Sequence, residues 1–364
     1  MTPATEDKHA GSGRADARRR LINGSHGEGG GQLLRTAIAL SALTGIPVCL
    51  HSIRARRDPP GLAPQHLAAV RAVATLCSAR CEGLVLRSTE LTFTPAPLRS
   101  GEFNFDVGTA GSVALVLQAL LPIMAAMPVS YRLTVTGGTD VRAAPPLDYL
   151  REVLLALLAR MGSHIRLVTH RRGYYPRGGG IVEAISAPAE LRPLRLPAPG
   201  RLLTISGLAH VAGLPAQIAE RMRAAALAPL GGTPVSATCD TSVLDRDAAS
   251  GRGGAVVLWA EHAQSVLGAG GVAERGVPAE TLGTAVGTEL AADLASGATL
   301  DRHAADQMLI YCALARGESH FLTRELTPHA HTAMWLLDQF LPVRFTVTRE
   351  PRGAHVTVTS EGRP

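Results

Sequence analysis

The feature that most restricts how this chain folds is a repeated order of elements, met twice in full about 80 residues apart. First comes a Gly-rich turn, GSHGEGGGQ at 24–32, running into the apolar-periodic helix LLRTAIALSAL from Leu33. A strand from Val48 (VCLHSI), a helix opened by Pro64 (PQHLAAVRAVATL) and strands near 84–94 follow. The second copy has GTAGSVALVLQALLPIM from Gly108, the strand YRLTVTG from Tyr131, a helix opened by Pro145 (PPLDYLREVLLALLARM) and the strands IRLV and IVEAI. Proline suits a first helical turn because the N–H it lacks has no intrahelical partner there. Units of two apolar-faced helices and a sheet cannot bury those faces alone, so the repeat predicts stacked units around a common core.

A third copy falls due near residue 190, where the sequence instead turns Pro-rich, SAPAELRPLRLPAPG. The pattern resumes with the helix ADQMLIYCALA from Ala305, the strand SHFLT, a helix opened by Pro328 (PHAHTAMWLLDQF) and the strands VRFTVTRE and AHVTVTS. Residues 186–297 therefore read as an inserted domain, with the strand RLLTISG, the helix PAQIAERMRAAAL, strands near 234–238 and 255–259, and the helix PAETLGTAVGTELAADLA. The expected fold is mixed α/β (α+β): a body of three repeated units, each two helices and a four-stranded sheet, over 20–185 and 298–360, carrying a smaller inserted α/β domain. Residues 1–19 read as a disordered, partly basic tail.

With 46% hydrophobic residues among 364, the chain can bury such a core, yet no apolar run reaches the roughly 18 residues of a membrane span. The opening residues lack the apolar stretch of a secretory signal. Cys49, Cys77, Cys81, Cys239 and Cys312 form no CxxC pair and no disulfide framework, which suits a reducing cytoplasm. Cys77 and Cys81, four apart on an apolar helical stretch, read as buried packing. The net charge of +6 favours polyanions only mildly. Lys8 is the only lysine, so any mechanism needing a core lysine is excluded: a Walker phosphate loop, a Schiff base, or a ligase carrying its nucleotide on lysine.

The segments NGSHGEGGGQLLR, SIRARRDPPGLAPQH, VGTAGSVALVLQALLP, TGGTDVRAAPP, GYYPRGGG, HAADQ and FLPVRF occur in the order found in the RNA 3'-terminal phosphate cyclase family, which the chain resembles over roughly residues 20–360. The resemblance implies a three-repeat body with an inserted domain. It also implies an ATP-dependent, divalent-cation-assisted (Mg or Mn) enzyme acting on RNA 3'-phosphate ends, converting them to 2',3'-cyclic phosphates through a covalent histidine adenylate.

Carried over residue by residue, the nucleophilic His matches His329 in TPHAHTAMW, counting back from FLPVRF, with His331 two residues on as the alternative register. Ala333 stands where the family wording has Asn. A neutral imidazole is a competent nucleophile in a chain without a core lysine. Arg35, Arg54 and Arg57 match phosphate-contacting arginines, with Gln65 nearby, and planar guanidinium donors suit phosphate oxygens. On their own, Arg54, Arg56 and Arg57 would be a solvated charge run. Glu28, the carboxylate of the Gly-rich turn, matches the metal-contacting Glu, and hard cations take oxygen ligands; by itself it reads as a first-turn acid on a helix N-terminus. HAADQ resembles the family's HLADQ, so His303, Asp306 and Gln307 are expected to contact the nucleotide, as is Gln118. GYYPRGGG reads as a structural turn, with base stacking by Tyr174 or Tyr175 as the other reading.

Two rivals remain at this level. A non-catalytic family relative binding RNA in ribosome maturation would lack the nucleophilic His. An enolpyruvyl-type transferase of similar repeat architecture would want core lysines for its anionic substrates.

Overall fold

The computed structural model describes residues 19–108 and 110–363; the expected tail and Lys8 lie outside the described residues. The first unit runs β1 (Arg20–Asn23), α1 (Gly31–Thr44), β2 (Val48–His51), α2 (Pro64–Cys77), β3 (Arg80–Glu82) and β4 (Leu91–Thr94). The second has β5 (Gly101–Asp106), α3 (Val113–Ala126), β6 (Tyr131–Gly137), then α4, which begins at Leu147–Tyr149, passes a π-helical turn at Leu150–Leu154 and ends as Leu155–Arg160. It closes with β7 (Ile165–Gly173) and β8 (Gly180–Ser186). Next come β9 (Leu202–Ala212), α5 (Ala216–Leu227), β10 (Asp240–Leu244), β11 (Ala249–Ser250), β12 (Gly253–His262), β13 (Val266–Val272) and α6 (Ala279–Ser296). The third unit has α7 (Arg302–Leu314), β14 (Gly317–Thr323), α8 (Pro328–Asp338), β15 (Val343–Glu350) and β16 (Gly353–Ser360).

The sheets show the repeat as topology. β1-β2-β4-β3 and β5-β6-β8-β7 have the same order, with the first pair parallel and the rest antiparallel. Four strands per unit hold only for the first sheet. β11 adds a fifth to the second, parallel to β7, and the third sheet has three, β14-β16-β15. The missing position in the third is held by a single parallel bridge from Arg195 to His320 on β14. The Pro-rich segment thus supplies an abbreviated first strand, because prolines at 193 and 197 deny it a longer ladder. Its Leu191, Leu194 and Leu196 are buried with the main core.

That core lies among the helices, where α1, α2 and α3 pack on one another, α7 on α8, and α8 on α1. A second apolar cluster sits between α5, α6 and the sheet β10-β9-β12-β13. Two expectations need correction. Cys77 ends α2 whereas Cys81 lies on β3, because Ser78, in the left-handed region at φ 47°, stops the helix between them. Burial raises both thiols, Cys77 to about 11, in keeping with packing. No strand forms at 234–238, where only Ala237 bridges to Ile205; the strand beside β9 is Asp240–Leu244. The five cysteines are free, and no helix among the described residues is long and apolar enough to cross a membrane.

Candidate functional site

Every residue matched above to a nucleotide, phosphate, metal or nucleophile role of the family, from Glu28 to His329, lines one cavity of about 780 Å³, bounded by the N-terminal ends of α1, α2 and α8, by α3 and α7, and by β13 and α6. The Gly-rich turn enters it through Gly27 at φ 58° and Gly29 at φ 62°. A Cβ on Gly27 would stand 2.1 Å from Thr332 Oγ1 on α8, so both conformation and close approach demand glycine there. Arg56, exposed and outside the cavity, donates through Nη2 to the carbonyls of Ser25 and Gly27 and so ties down the turn. Gly30 caps α1 without a side chain, leaving the first N–H groups of that helix to open on the cavity, a ready anion site.

The first helix of each unit sends one amide or guanidinium to a common point. Arg35 of α1 donates through Nη2 to Gln118 Oε1 of α3 at 3.2 Å, and Gln118 Nε2 donates to Gln307 Oε1 of α7 at 3.2 Å. Burial lowers the Arg35 guanidinium to about 10, and its Nε is buried with no hydrogen-bond partner among the described residues, so it holds an unanswered positive charge in the cavity wall. Arg54 donates through Nη1 to Gly61 O at 2.8 Å, fixing its left-handed backbone at φ 51°, while Arg57 pairs with Glu28 at 2.9 Å.

Glu28 Oε2 contacts His329 Nδ1 at the start of α8. A carboxylate there favours the tautomer with the proton on Nδ1, leaving the Nε2 lone pair available. Burial lowers the His329 pKa from 6.5; Glu28 opposes this, and Arg35, His303 and Arg57 add to it. His331 is exposed and does not line the cavity. Thr327 caps α8, accepting from the N–H groups of His329 and Ala330 while its hydroxyl donates to Asp306, whose two oxygens lie 2.8 Å away. His303 stands edge-on to Tyr149 with Nε2 3.4 Å from Glu289; burial would lower its pKa, but Glu289 and Asp301 raise it overall.

Burial raises Asp306 from 3.8 to about 7. The folded chain holds this proton more tightly than the unfolded chain. Stability from this group is therefore fully present below the unfolded value and is lost as pH rises towards 7. Asp306→Asn, which keeps an acceptor for Thr327, should raise the thermal midpoint most near about pH 8, less near about pH 5, and leave it unchanged only near about pH 3, below the unfolded carboxyl value. Thermal melts across that range check it, and equal midpoints at both ends would mean that the carboxyl is not buried against its charge.

Sequence reasoning passed over His66, which follows Gln65 on α2. It is buried, accepts the Ala63 N–H on Nδ1 at 3.0 Å, and is held near 3 by burial, then Arg35, then Arg54. It is therefore a neutral ring whose proton sits on Nε2, the atom nearest Gly31, where a Cβ would come within 2.2 Å. The only sequence signal was its place in the first turn of a Pro-started helix lined with site residues.

The end of TGGTDVRAAPP, residues 143–146, lines this cavity, while its Thr139 bonds Gly173 of GYYPRGGG outside it. Arg172 donates to Asp140 at 3.0 Å and to both oxygens of Asp148 at 2.8 and 2.7 Å; Asp148 also contacts His210 of β9, and the Tyr174 hydroxyl bonds His210 at 2.9 Å. Asp140, Asp148 and His210 offer three ligand atoms within 4.8 Å, a set compatible with a cation, but the Arg172 guanidinium already sits on both carboxylates. Burial would raise Asp148, yet His210, Arg172 and Arg151 together hold it below its ordinary value. Tyr174 is buried here and cannot stack on a base, whereas Tyr175 is 76% exposed.

The family model described as RNA 3'-terminal phosphate cyclase matches residues 26–347. A protein of Nitrosospira multiformis with that name is 56% identical over 330 residues, covering 90% of this chain and 93% of that protein. Another, from Hyperthermus butylicus, is 47% identical over 328 residues, covering 88% and 91%. Among solved structures, the enolpyruvyl transferase NikO from Streptomyces tendae aligns with a TM-score of 0.38 at 13% identity, over 92% of this chain and 48% of that one, too weak a likeness to carry an argument.

Proposed function

The chain belongs to the RNA 3'-terminal phosphate cyclase family, and from that premise we propose that it cyclises RNA 3'-phosphate ends with ATP, by way of an AMP carried on His329. The observation that supports this most is a neutral His329 ring, backed by Glu28, facing a cavity walled by Arg35, Arg54 and Arg57. In the first step the His329 nitrogen attacks the α-phosphorus of ATP and pyrophosphate leaves. Guanidinium groups and the α1 N-terminus stabilise the charge that gathers on the phosphate oxygens. AMP then passes to the RNA 3'-phosphate. The neighbouring 2'-hydroxyl attacks that phosphorus and expels AMP, a step favoured because nucleophile and phosphorus share one ribose. On this reading Gln118, Gln307, His303 and Asp306, which line the cavity, hold base and ribose, with Gln65 beside the phosphate arginines.

Glu28 lies on the cavity wall with Oε1 on Arg57 and Oε2 on His329, and its carboxylate is a hard oxygen donor of the kind that a divalent cation, Mg or Mn, takes as a ligand. Such an ion would neutralise phosphate charge beside the nucleophile.

The test uses α-labelled ATP and two RNA ends. An RNA 3'-phosphate with a free 2'-hydroxyl should give cyclic phosphate and free AMP, whereas a 2'-deoxy end should accumulate the adenylated strand, since it accepts AMP but lacks the internal nucleophile. Tight RNA binding with neither labelled protein nor adenylated end would favour the non-catalytic, RNA-binding reading.

A further inference from the structure

A second cavity, of about 850 Å³, opens where the GYYPRGGG loop meets the end of β9 and the 244–252 segment. Arg171, Arg177, Arg246 and Arg252 line it, and among the described residues none of the four forms an ion pair. The carboxylate in the wall, Asp245, is turned into its own loop, accepting from the N–H groups of Asp247 and Ala248 at 3.1 and 2.8 Å. Tyr175 stands at this cleft 76% exposed. The walls are fixed rather than loose: β11 pairs with β7, Arg172 N–H donates to Ala248 O, Tyr174 N–H to Ser250 O, and Arg252 Nε to Gly213 O.

Three residue-to-residue links join this cleft to the first cavity. Arg171 lines the cleft, its neighbour Arg172 binds Asp148, and the next residue, Tyr149, lines the first cavity. A nucleotide end held beside His329 must have its remaining strand leave along the surface, and a polyanion follows guanidinium groups that no carboxylate has neutralised. An exposed aromatic ring among such groups is the arrangement that holds single strands without reading sequence, by stacking on one base while cations hold the phosphates. The geometry points to this cleft as the track for the single-stranded RNA upstream of the reacting end, with phosphates on Arg177, Arg246 and Arg252 and a base on Tyr175. This assignment rests on the reading of the chain as an enzyme of RNA ends.

The test compares a 3'-phosphorylated RNA of about 12 nucleotides, within the range of known single-strand sites, with a 3'-phosphorylated dinucleotide. In full-length Arg177→Gln/Arg246→Gln protein, whose changes are both on exposed side chains, KM for the long RNA should rise about tenfold or more. The slope of its affinity against salt should fall by about 1.4, at 0.7 per lost phosphate contact. Tyr175→Ala should weaken the long RNA by about tenfold with the salt slope unchanged. Dinucleotide turnover, histidine labelling by ATP and the thermal midpoint should stay at wild-type values in both. Equal effects on long and short RNA, or none on either, overturn the assignment. So does a cleft that takes a polyglutamate peptide as tightly as RNA while Tyr175→Ala changes nothing. Loss of the function reading looks different, because wild-type protein would then fail to label with ATP whatever the cleft binds.

Discussion

His329→Ala protein is expected to take up no covalent label from α-labelled ATP, a loss of at least ~10⁴-fold as for removal of other enzymic nucleophiles, while folding normally. The fold should survive because the helix start is held by backbone bonds to Thr327, which the substitution leaves in place, and the imidazole is 43% exposed. The change in stability should stay within about 1 kcal/mol. His331→Ala should label as wild type, since that ring lies outside the cavity. Labelling retained by His329→Ala and lost in His331→Ala would move the nucleophile two residues on. The pH profile carries a second check. The neutral ring is the reactive form, and burial, with Arg35, His303 and Arg57 outweighing Glu28, sets its pKa below 6.5. The labelling rate should therefore hold its plateau through 6.5 and fall only at lower pH.

The largest effect on stability is expected at Arg172, which no catalytic step uses. Arg172→Met should destabilise the protein by about 3–5 kcal/mol, because it leaves Asp140 buried without its counter-charge and Asp148 with Arg151 as its remaining guanidinium partner. The sign with pH follows from the same pairing. Removing the guanidinium takes away one of the groups that hold the Asp148 pKa down, so the variant holds a proton that the unfolded chain would release, and its deficit should shrink as pH falls from about 8 to about 5. Adding Asp148→Asn should recover part of the loss at the higher pH. Denaturant melts of the three proteins at both pH values check this, and a deficit independent of pH would place its source in lost packing instead of unpaired carboxylates.

Local rules in the sequence settled the elements and their order. Pro64 and Pro328 open helices because a first turn needs no N–H from them, and Gly27 and Gly29, both at positive φ, mark a turn that glycine makes readily, with Gly27 close against Thr332. The absence of core lysine, also plain from the sequence alone, left histidine as the nitrogen nucleophile to look for. Even there, propensity overreached where a stop signal was small: Ser78 ended α2 and put Cys81 on a strand.

What the sequence could not contain is proximity across units. Arg35, Gln118 and Gln307 sit far apart in the chain and meet because α1, α3 and α7 pack together. Glu28 reaches His329 across 301 positions for the same reason. His66 became a neutral donor facing the cavity only through burial beside two arginines, an effect of solvent exclusion that no window of residues encodes. Charge by charge, Arg172 and Arg171 look alike in HRRG, yet alternation along β7 sends one inward to two carboxylates and the other to an open cleft. Pattern fixes which elements form and which face they bury; the packing of those faces decides which distant polar groups share one desolvated space, and with that their charge and chemistry.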